Sequence, residues 1–395
     1  MSGLSIAVAG AGIGGLTAAL ALARQGHAVT LVERRTGFSE VGAGLQLSPN
    51  ASRILIGLGL GAALRRVVTE PERVVVRRIG SGRPVGAVAL GPFARQRYEA
   101  PYWVAHRADL QTILLDAVRS QSSIRLVMGR TVEEVRSGPD HASLAWVSAG
   151  GARESLAVDA VVGADGIWSK VRRALGDEAL PAFHGSVAWR ATLDRSAAPA
   201  EVAGNETGLW LGSRGHVVHY PIAGGRLINV VAIDTDAEPV EGWAAPGKAE
   251  DLLARYASAA PMLRQLLSRP AEWLRWSLFG HPIRRLAAGR IALLGDAAHP
   301  VLPFLAQGAA LAIEDAAALA SLLGQRSQSV PQALSAYEDQ RLGRARRVQR
   351  EARRNGRIYH AGPLMAFGRD RVMGRLGPEG MTRRYDWLYG FRPDG

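Results

Sequence analysis

The sequence predicts an α/β protein in which a parallel, nucleotide-binding sheet is interleaved with a smaller domain of mostly antiparallel strands and closed by C-terminal helices. Three observations predict it. Ser5–Ala9 is an apolar run that enters Gly10-Ala11-Gly12-Ile13-Gly14-Gly15, then an Ala/Leu helix to about Gly26, then a second apolar run, Val29–Val32, closed by Glu33. The apolar-run-into-glycine pattern returns at Ala160–Gly166 and at Ile291–Asp296. Between 186 and 235 several strand-like runs carry no nucleotide motif. The nucleotide-binding domain is therefore expected at 1–72, 101–180 and 281–360, the smaller domain at 73–100 and 181–280, and a C-terminal segment at 361–395.

The first motif reads as the Rossmann dinucleotide fingerprint. Gly10 permits the sharp turn, Gly12 lets backbone approach a pyrophosphate, and Gly15 lets the helix pack on the strand, while Glu33 can accept from both ribose hydroxyls. Val41–Ala51 reads as a glycine-containing loop leading into a helix, with Ser48 or Asn50 as its cap. Valines alternating with arginines and glycines from Arg73 to Leu90 suggest sheet. A helix opens at His106-Arg107 and runs to about Ser120, and Arg107 at its start can pair with phosphate or stand exposed. Ile124–Met128, Thr131–Val135 and Ala142–Val147 read as strands, and Asp165-Gly166 precedes a helix from Ser169.

Val187–Thr192, Thr207–Leu211, His216–Pro221 and Leu227–Ile233 are expected to form one antiparallel sheet. Alternation then puts His216, Val218 and Tyr220 on one face and His219 on the other. An imidazole and a phenol on one face can relay a proton, or can simply be packed. Glu250–Ser268 reads as helix and Trp273–Phe279 as strand. The stretch from Ile291 to Asp315 reads as strand, Gly295-Asp296, a loop stiffened by Pro300 and Pro303, and a helix opening at Gly308-Ala309. Its first amides favour negative charge. Val330–Arg357 reads mostly as helix.

Composition narrows the classes. Of 395 residues, 47% are hydrophobic and none is cysteine, so thiolate catalysis and Cys-based metal sites are excluded and no metal site is expected. The net charge of +13 comes almost wholly from arginines spread along the chain, since Lys170 and Lys248 are the only lysines. The dense run Arg341–Arg357 reads as a solvated helix face, so neither nucleic acid nor membrane is expected as partner. A cytoplasmic monomer or homodimer is expected, with no signal peptide or membrane span.

With these residues in place the sequence resembles the flavoprotein aromatic hydroxylases, which include para-hydroxybenzoate hydroxylase and salicylate hydroxylase. Three motifs carry the resemblance over about the first 350 residues: Gly10-x-Gly12-x-x-Gly15 with Glu33, Asp165-Gly166, and Gly295-Asp296 followed by Ala-Ala-His299-Pro300. The resemblance implies a glutathione-reductase-type domain holding non-covalent FAD. Gly10, Gly12, Ile13, Gly14 and Gly15, with Glu33 and Arg34, would take the ADP half, and Arg107 the pyrophosphate or ribityl region. Asp165-Gly166 would lie near the pyrophosphate and is linked to NAD(P)H use; Gly295 and Asp296 would hold the ribityl chain. Gly44, Gln46, Pro303, Gly308 and Ala309 would border the isoalloxazine.

The His216–Pro221 run is similar to the 3-hydroxybenzoate 6-hydroxylase and 6-hydroxynicotinate 3-monooxygenase branch, where a histidine and a tyrosine four apart line the substrate pocket. That implies hydroxylation of a small phenolic or hydroxy-heteroaromatic acid, with NADH or NADPH and O2, through a flavin C4a-hydroperoxide. Gln46, Leu211, His216, Val218, Tyr220, Pro303 and Phe304 would line the substrate site. His216, with a neutral-range pKa, would take the phenolic proton; Tyr220 would position or relay it, beside Pro303. Gln307 is a further candidate polar contact, and Arg190 and Arg214 are candidate carboxylate anchors. The alternatives are a flavin monooxygenase or epoxidase acting on a larger metabolite, and a non-catalytic FAD-binding protein.

Overall fold

A computed structural model describes residues 3–38, 44–235, 238–242, 244–325 and 327–392. β1 (Ser5–Ala9), α1 (Ile13–Arg24) and β2 (Ala28–Val32) form the first unit, and β3 (Gly44–Leu47) runs into α2 (Pro49–Gly57) and α3 (Gly61–Arg65). β4 (Arg73–Arg78), β5 (Pro84–Ala89) and α4 (Gly91–Tyr98) leave it; β6 (Trp103–His106), α5 (Arg107–Arg119) and β7 (Ile124–Val127) return. β8 (Arg130–Ser137), β9 (Ala142–Ser148) and β10 (Arg153–Val158) form a small sheet ahead of β11 (Ala160–Gly163). The second large excursion comprises β12 (Ala182–Asp194), β13 (Thr207–Gly212), β14 (Gly215–Ile222), β15 (Leu227–Thr235), β16 (Ala245–Gly247), α6 (Ala249–Arg255), α7 (Pro261–Ser268) and β17 (Trp273–Gly280). The chain ends with β18 (Ala287–Ala288), β19 (Ile291–Leu293), α8 (Gly308–Leu323), α9 (Val330–Tyr359), α10 (Pro363–Arg383) and α11 (Asp386–Tyr389).

Two sheets organise these elements. The first has order β18-β19-β11-β1-β2-β7 and is parallel apart from β18, which explains why its strands read as unbroken apolar runs: both faces are covered. The second has order β16-β17-β12-β15-β14-β13-β4-β5 and is antiparallel except where β13 meets β4. Its alternation separates two faces. Trp189, Trp210, Val217, Val230 and Ala232 pack on one side against Leu252, Leu263 and Leu266 of α6 and α7. Leu209, Leu211 and Tyr220 face the other way, toward Tyr102, Val104 of β6, Leu311 of α8 and Val348 of α9. Burying such side chains contributes about 1.5–3 kcal/mol each. This near face is therefore packed against β6, the first turn of α8 and the middle of α9.

Several expectations need correction. The helix expected over 250–268 is two, because Pro261 opens a second one at its first turn. After Ser169 there is only a 3₁₀ turn, Val171–Leu175. The 41–51 loop contains strand β3, paired with β6, while its residues 41–43 lie outside the described residues. Ser48 precedes α2 without capping it, since its hydroxyl donates to Asn50 Oδ1 at 2.6 Å. Arg341 is not on a solvated face: it is fully buried and ion-paired. Among the described residues no helix is long and apolar enough to cross a membrane.

Candidate active site

The ends of β1, β11 and β19 meet the starts of α1 and α8, and the glycines there set how closely they approach. Gly10 has φ +100°, and a Cβ on it would fall 2.5 Å from the Ala164 carbonyl oxygen; on Gly15 it would fall 1.8 Å from the Gly10 oxygen. On Gly14 it would reach to 2.7 Å from Leu294 Cδ1 and 3.0 Å from Ala312 Cβ. Gly12 differs, because a Cβ there would meet nothing within 4 Å. Three glycines thus serve packing, and the fourth turns bare backbone toward open space at the N-terminus of α1, beside Ile13. No side chain caps either α1 or α8. The first amides of both helices, including those of Gly308 and Ala309, are left to a ligand, with roughly half a unit of positive charge at each start. These features fit FAD: an approachable turn for the pyrophosphate and a second helix start for a group that becomes anionic.

The acidic residues divide in role. Glu33 Oε2 accepts from the Ala11 amide at 2.8 Å and Oε1 from the Arg35 amide at 3.0 Å, so it braces the glycine turn and keeps lone pairs for hydroxyls. Asp165 is occupied locally, accepting from Ser169 Oγ at 2.6 Å and from the Lys170 and Val171 amides at 2.8 and 3.2 Å. Its carboxylate caps a turn, and Gly166, at φ +80°, carries the chain past. Asp296 is exposed to the cleft, and desolvation by the surrounding protein raises its carboxyl pKa against the pull of His299 and Arg107. Arg107, exposed at the start of α5, is close enough to Asp296 and Arg35 for their charges to act on it. Arg34 is exposed beyond β2.

Behind the Gly295-Asp296 turn lies a buried charge network. Arg341 donates to Glu314 Oε2 at 2.7 Å and to Asp315 Oδ1 at 2.8 Å, and Asp315 Oδ2 accepts from the Gly295 amide at 3.0 Å. His299 Nε2 lies 2.5 Å from the same Asp315 oxygen. Burial would lower the pKa of His299, but the Asp315 charge and hydrogen bond overcome it and raise it. Gln307 belongs to this scaffold too: it donates to Ser48 Oγ at 2.9 Å and accepts from Asn50 at 3.1 Å, and Asn50 also reaches Glu314. Gln307 is therefore a structural link between α8 and α2. The network joins α2, α8 and α9 and fixes the turn that carries Asp296.

Above the cleft, the near face of β14 presents His216, Val218 and Tyr220, with Leu211 opposite His216 in register. Only glycine fits at 44, since a Cβ there would lie 2.5 Å from Tyr220 Cε2; the Gly44 amide donates to Asn229 Oδ1 at 2.7 Å. Gln46, on the same strand, accepts from the Tyr102 hydroxyl. Burial raises the Tyr220 phenol, with nearby Arg190 opposing. Pro303 is exposed at the start of a 3₁₀ turn that buries Phe304 against the His216 ring, 5.5 Å between centroids.

The expected neutral-range pKa of His216 is a correction. Burial, with His360 adding, pushes it down to about 3, so the ring is held neutral. Its Nδ1 lies 2.9 Å from Nε2 of His360, at the end of α9 and only partly buried. His360 was not legible as a partner, because it follows His216 by 144 residues and belongs to no local pattern. Tyr102 and Asn229 were missed for the same reason. Arg214 is exposed in the two-residue hairpin between β13 and β14, whereas Arg190 lies on the near face.

The family described as FAD binding domain matches residues 4–352. The chain is 34% identical over 391 residues to a 3-hydroxybenzoate 6-hydroxylase of Polaromonas naphthalenivorans, covering 98% of this chain and 96% of that one. It is 39% identical over 390 residues to a 3-amino-4-hydroxybenzoate 2-monooxygenase of Streptomyces platensis, again over 98% and 96%. Among solved structures, a salicylate hydroxylase substrate complex superposes with a TM-score of 0.83 at 26% identity, over 100% of this chain and 97% of that chain. The chain belongs to the FAD-binding family of flavoprotein aromatic hydroxylases.

Proposed function

We propose that the protein is an FAD-dependent monooxygenase that hydroxylates a small phenolic or hydroxy-heteroaromatic acid, using NADH or NADPH and O2. The observation that carries the reading is the near face of β14: His216 and Tyr220 on one face with Val218 between them, walled by Leu211 and Phe304, in a protein whose α8 starts uncapped. In this reading 1–72, 101–180 and 281–360 hold the cofactor, and 73–100 and 181–280 present the substrate.

When bound and reduced, FAD supplies the oxygen-transfer chemistry. The chain's own residues prepare the ring. Asp296, Arg107 and the turn at Gly10–Gly15 would hold the cofactor, and the buried network of His299, Asp315 and Arg341 keeps the Gly295-Asp296 turn still. An aromatic carbon accepts an electrophilic oxygen best when its hydroxyl is deprotonated, so a proton must leave a dry pocket. His216 held at about 3 is a poor base by itself. Its partner resolves this: in the tautomer whose Nδ1 donates to His360 Nε2, the His216 Nε2 is an acceptor for the phenolic proton. As that proton arrives, the Nδ1 proton passes to His360 and on to solvent, and His216 never carries net charge. Tyr220 orients the hydroxyl, and the apolar wall excludes water.

The test is NADH and NADPH oxidation, with hydrogen peroxide followed in parallel, across hydroxybenzoates, salicylate, 6-hydroxynicotinate and non-phenolic controls. One phenolic acid should stimulate oxidation without matching peroxide. Stimulation by none of them would overturn the substrate class.

A further inference from the structure

We propose that Arg190, stacked on Trp276, forms a subsite for an anionic group, and that the group it takes is the carboxylate of the aromatic substrate. The inference rests on the phenolic-acid reading for the identity of the anion, but not for its existence.

The sheet register places the residue. Arg190 of β12 is opposite Val231 of β15, which is opposite Val218 of β14. Arg190 therefore rises from the near face in the row between those of His216 and Tyr220, its backbone two strand spacings, about 9–10 Å, from that of Val218. A hydroxylated ring bridges such a gap with its hydroxyl at the His216 and Tyr220 end and its carboxylate at the Arg190 end. Trp276, on neighbouring β17, holds the guanidinium carbon 3.7 Å from its ring centroid, which fixes the plane of the fork and leaves its edge for a bidentate partner.

No such partner exists among the described residues. Arg190 makes no ion pair or hydrogen bond to them, and its Nε is buried without an acceptor. The nearby Tyr220 is an uncharged phenol, and the charge that acts on Arg190 is that of a second cation, Arg107. A mostly buried guanidinium under the influence of a second cation, with no carboxylate partner, is disfavoured unless an anion arrives. A phosphate of FAD offers the same chemistry as a carboxylate. The Val218 row favours the substrate, because the glycine turn and the α1 start lie on the parallel sheet instead.

The experiment titrates the oxidised holoenzyme with 3-hydroxybenzoate, 3-hydroxybenzamide and iodide, reading the absorbance change of bound flavin, in the wild type and in Arg190→Gln and Arg190→Lys. FAD affinity is measured separately on each apoprotein. The proposal expects Arg190→Gln to bind FAD normally and to lose about 10–100-fold in affinity for the acid, with the amide unchanged. Arg190→Lys should recover part of that loss, since it keeps the charge without the fork. Equal weakening of acid and amide would overturn the proposal. So would a loss of FAD affinity with acid binding intact after reloading, which would give the anion to the cofactor. If the wild type binds iodide through Arg190 but neither aromatic, the subsite stands and the phenolic-acid reading fails. If no ligand perturbs the flavin in an Arg190-dependent way, the subsite itself is refuted.

Discussion

His216 and His219 are three residues apart on β14, each 2% exposed and each held at about 3 by burial. Their surroundings differ. His219 points to the far face, 6.2 Å from the Trp210 ring centroid, near Arg77, with neither ring nitrogen hydrogen-bonded. His216 points to the cofactor side and connects through His360 to a partly buried position. Burial and a depressed pKa are common to both, so neither marks a proton-handling group. What distinguishes His216 is a route by which a proton can leave.

The largest expected effect separates the two faces directly. His216→Ala should slow product formation by about 10²–10⁴-fold with FAD content unchanged, the range for losing a general base, whereas His219→Leu should leave turnover within about threefold. Similar losses from both would mean that packing of β14, and not proton transfer, is being read. Next comes His360→Ala, expected to slow product formation by about tenfold. In the His216→Ala background it should add nothing, because the two act as one relay; measured additivity would break the link between them.

The smallest effect concerns stability and acid. Both histidines have folded pKa values below the ordinary 6.5, so the unfolded chain binds more protons between about pH 6.5 and 3. Stability contributed by keeping them neutral is present above pH 6.5 and is lost as pH falls, by about 1 kcal/mol per pH unit for each. His219→Leu removes one of these liabilities, and its acid-unfolding midpoint should move to lower pH. An unchanged midpoint would show that His219 is not buried as described.

Legibility in the sequence followed the range of the interactions. The glycine turn, the strand ends and the shared face of His216 and Tyr220 were readable because each depends on neighbours a few residues away. The His216–His360 contact, Tyr102 on Gln46, Asn229 on the Gly44 amide and Arg341 on Asp315 join distant segments, and one sequence carries no signal for them. Arg341–Arg357 was misread for a related reason: a run of arginines looks solvated until α8 supplies buried acids. Asp165 and Gln307 also make hydrogen bonds that position alone does not reveal, Asp165 to the Lys170 amide and Gln307 to the Ser48 hydroxyl.

The most direct test of the account is the fate of the electrons from NADH or NADPH when the stimulating phenolic acid is present, with hydroxylated product and hydrogen peroxide both quantified in wild type, His216→Ala and His219→Leu. The account predicts mostly product in the wild type and His219→Leu, and mostly peroxide in His216→Ala, where the ring is bound but not activated. Product formation by His216→Ala at the wild-type ratio would contradict it.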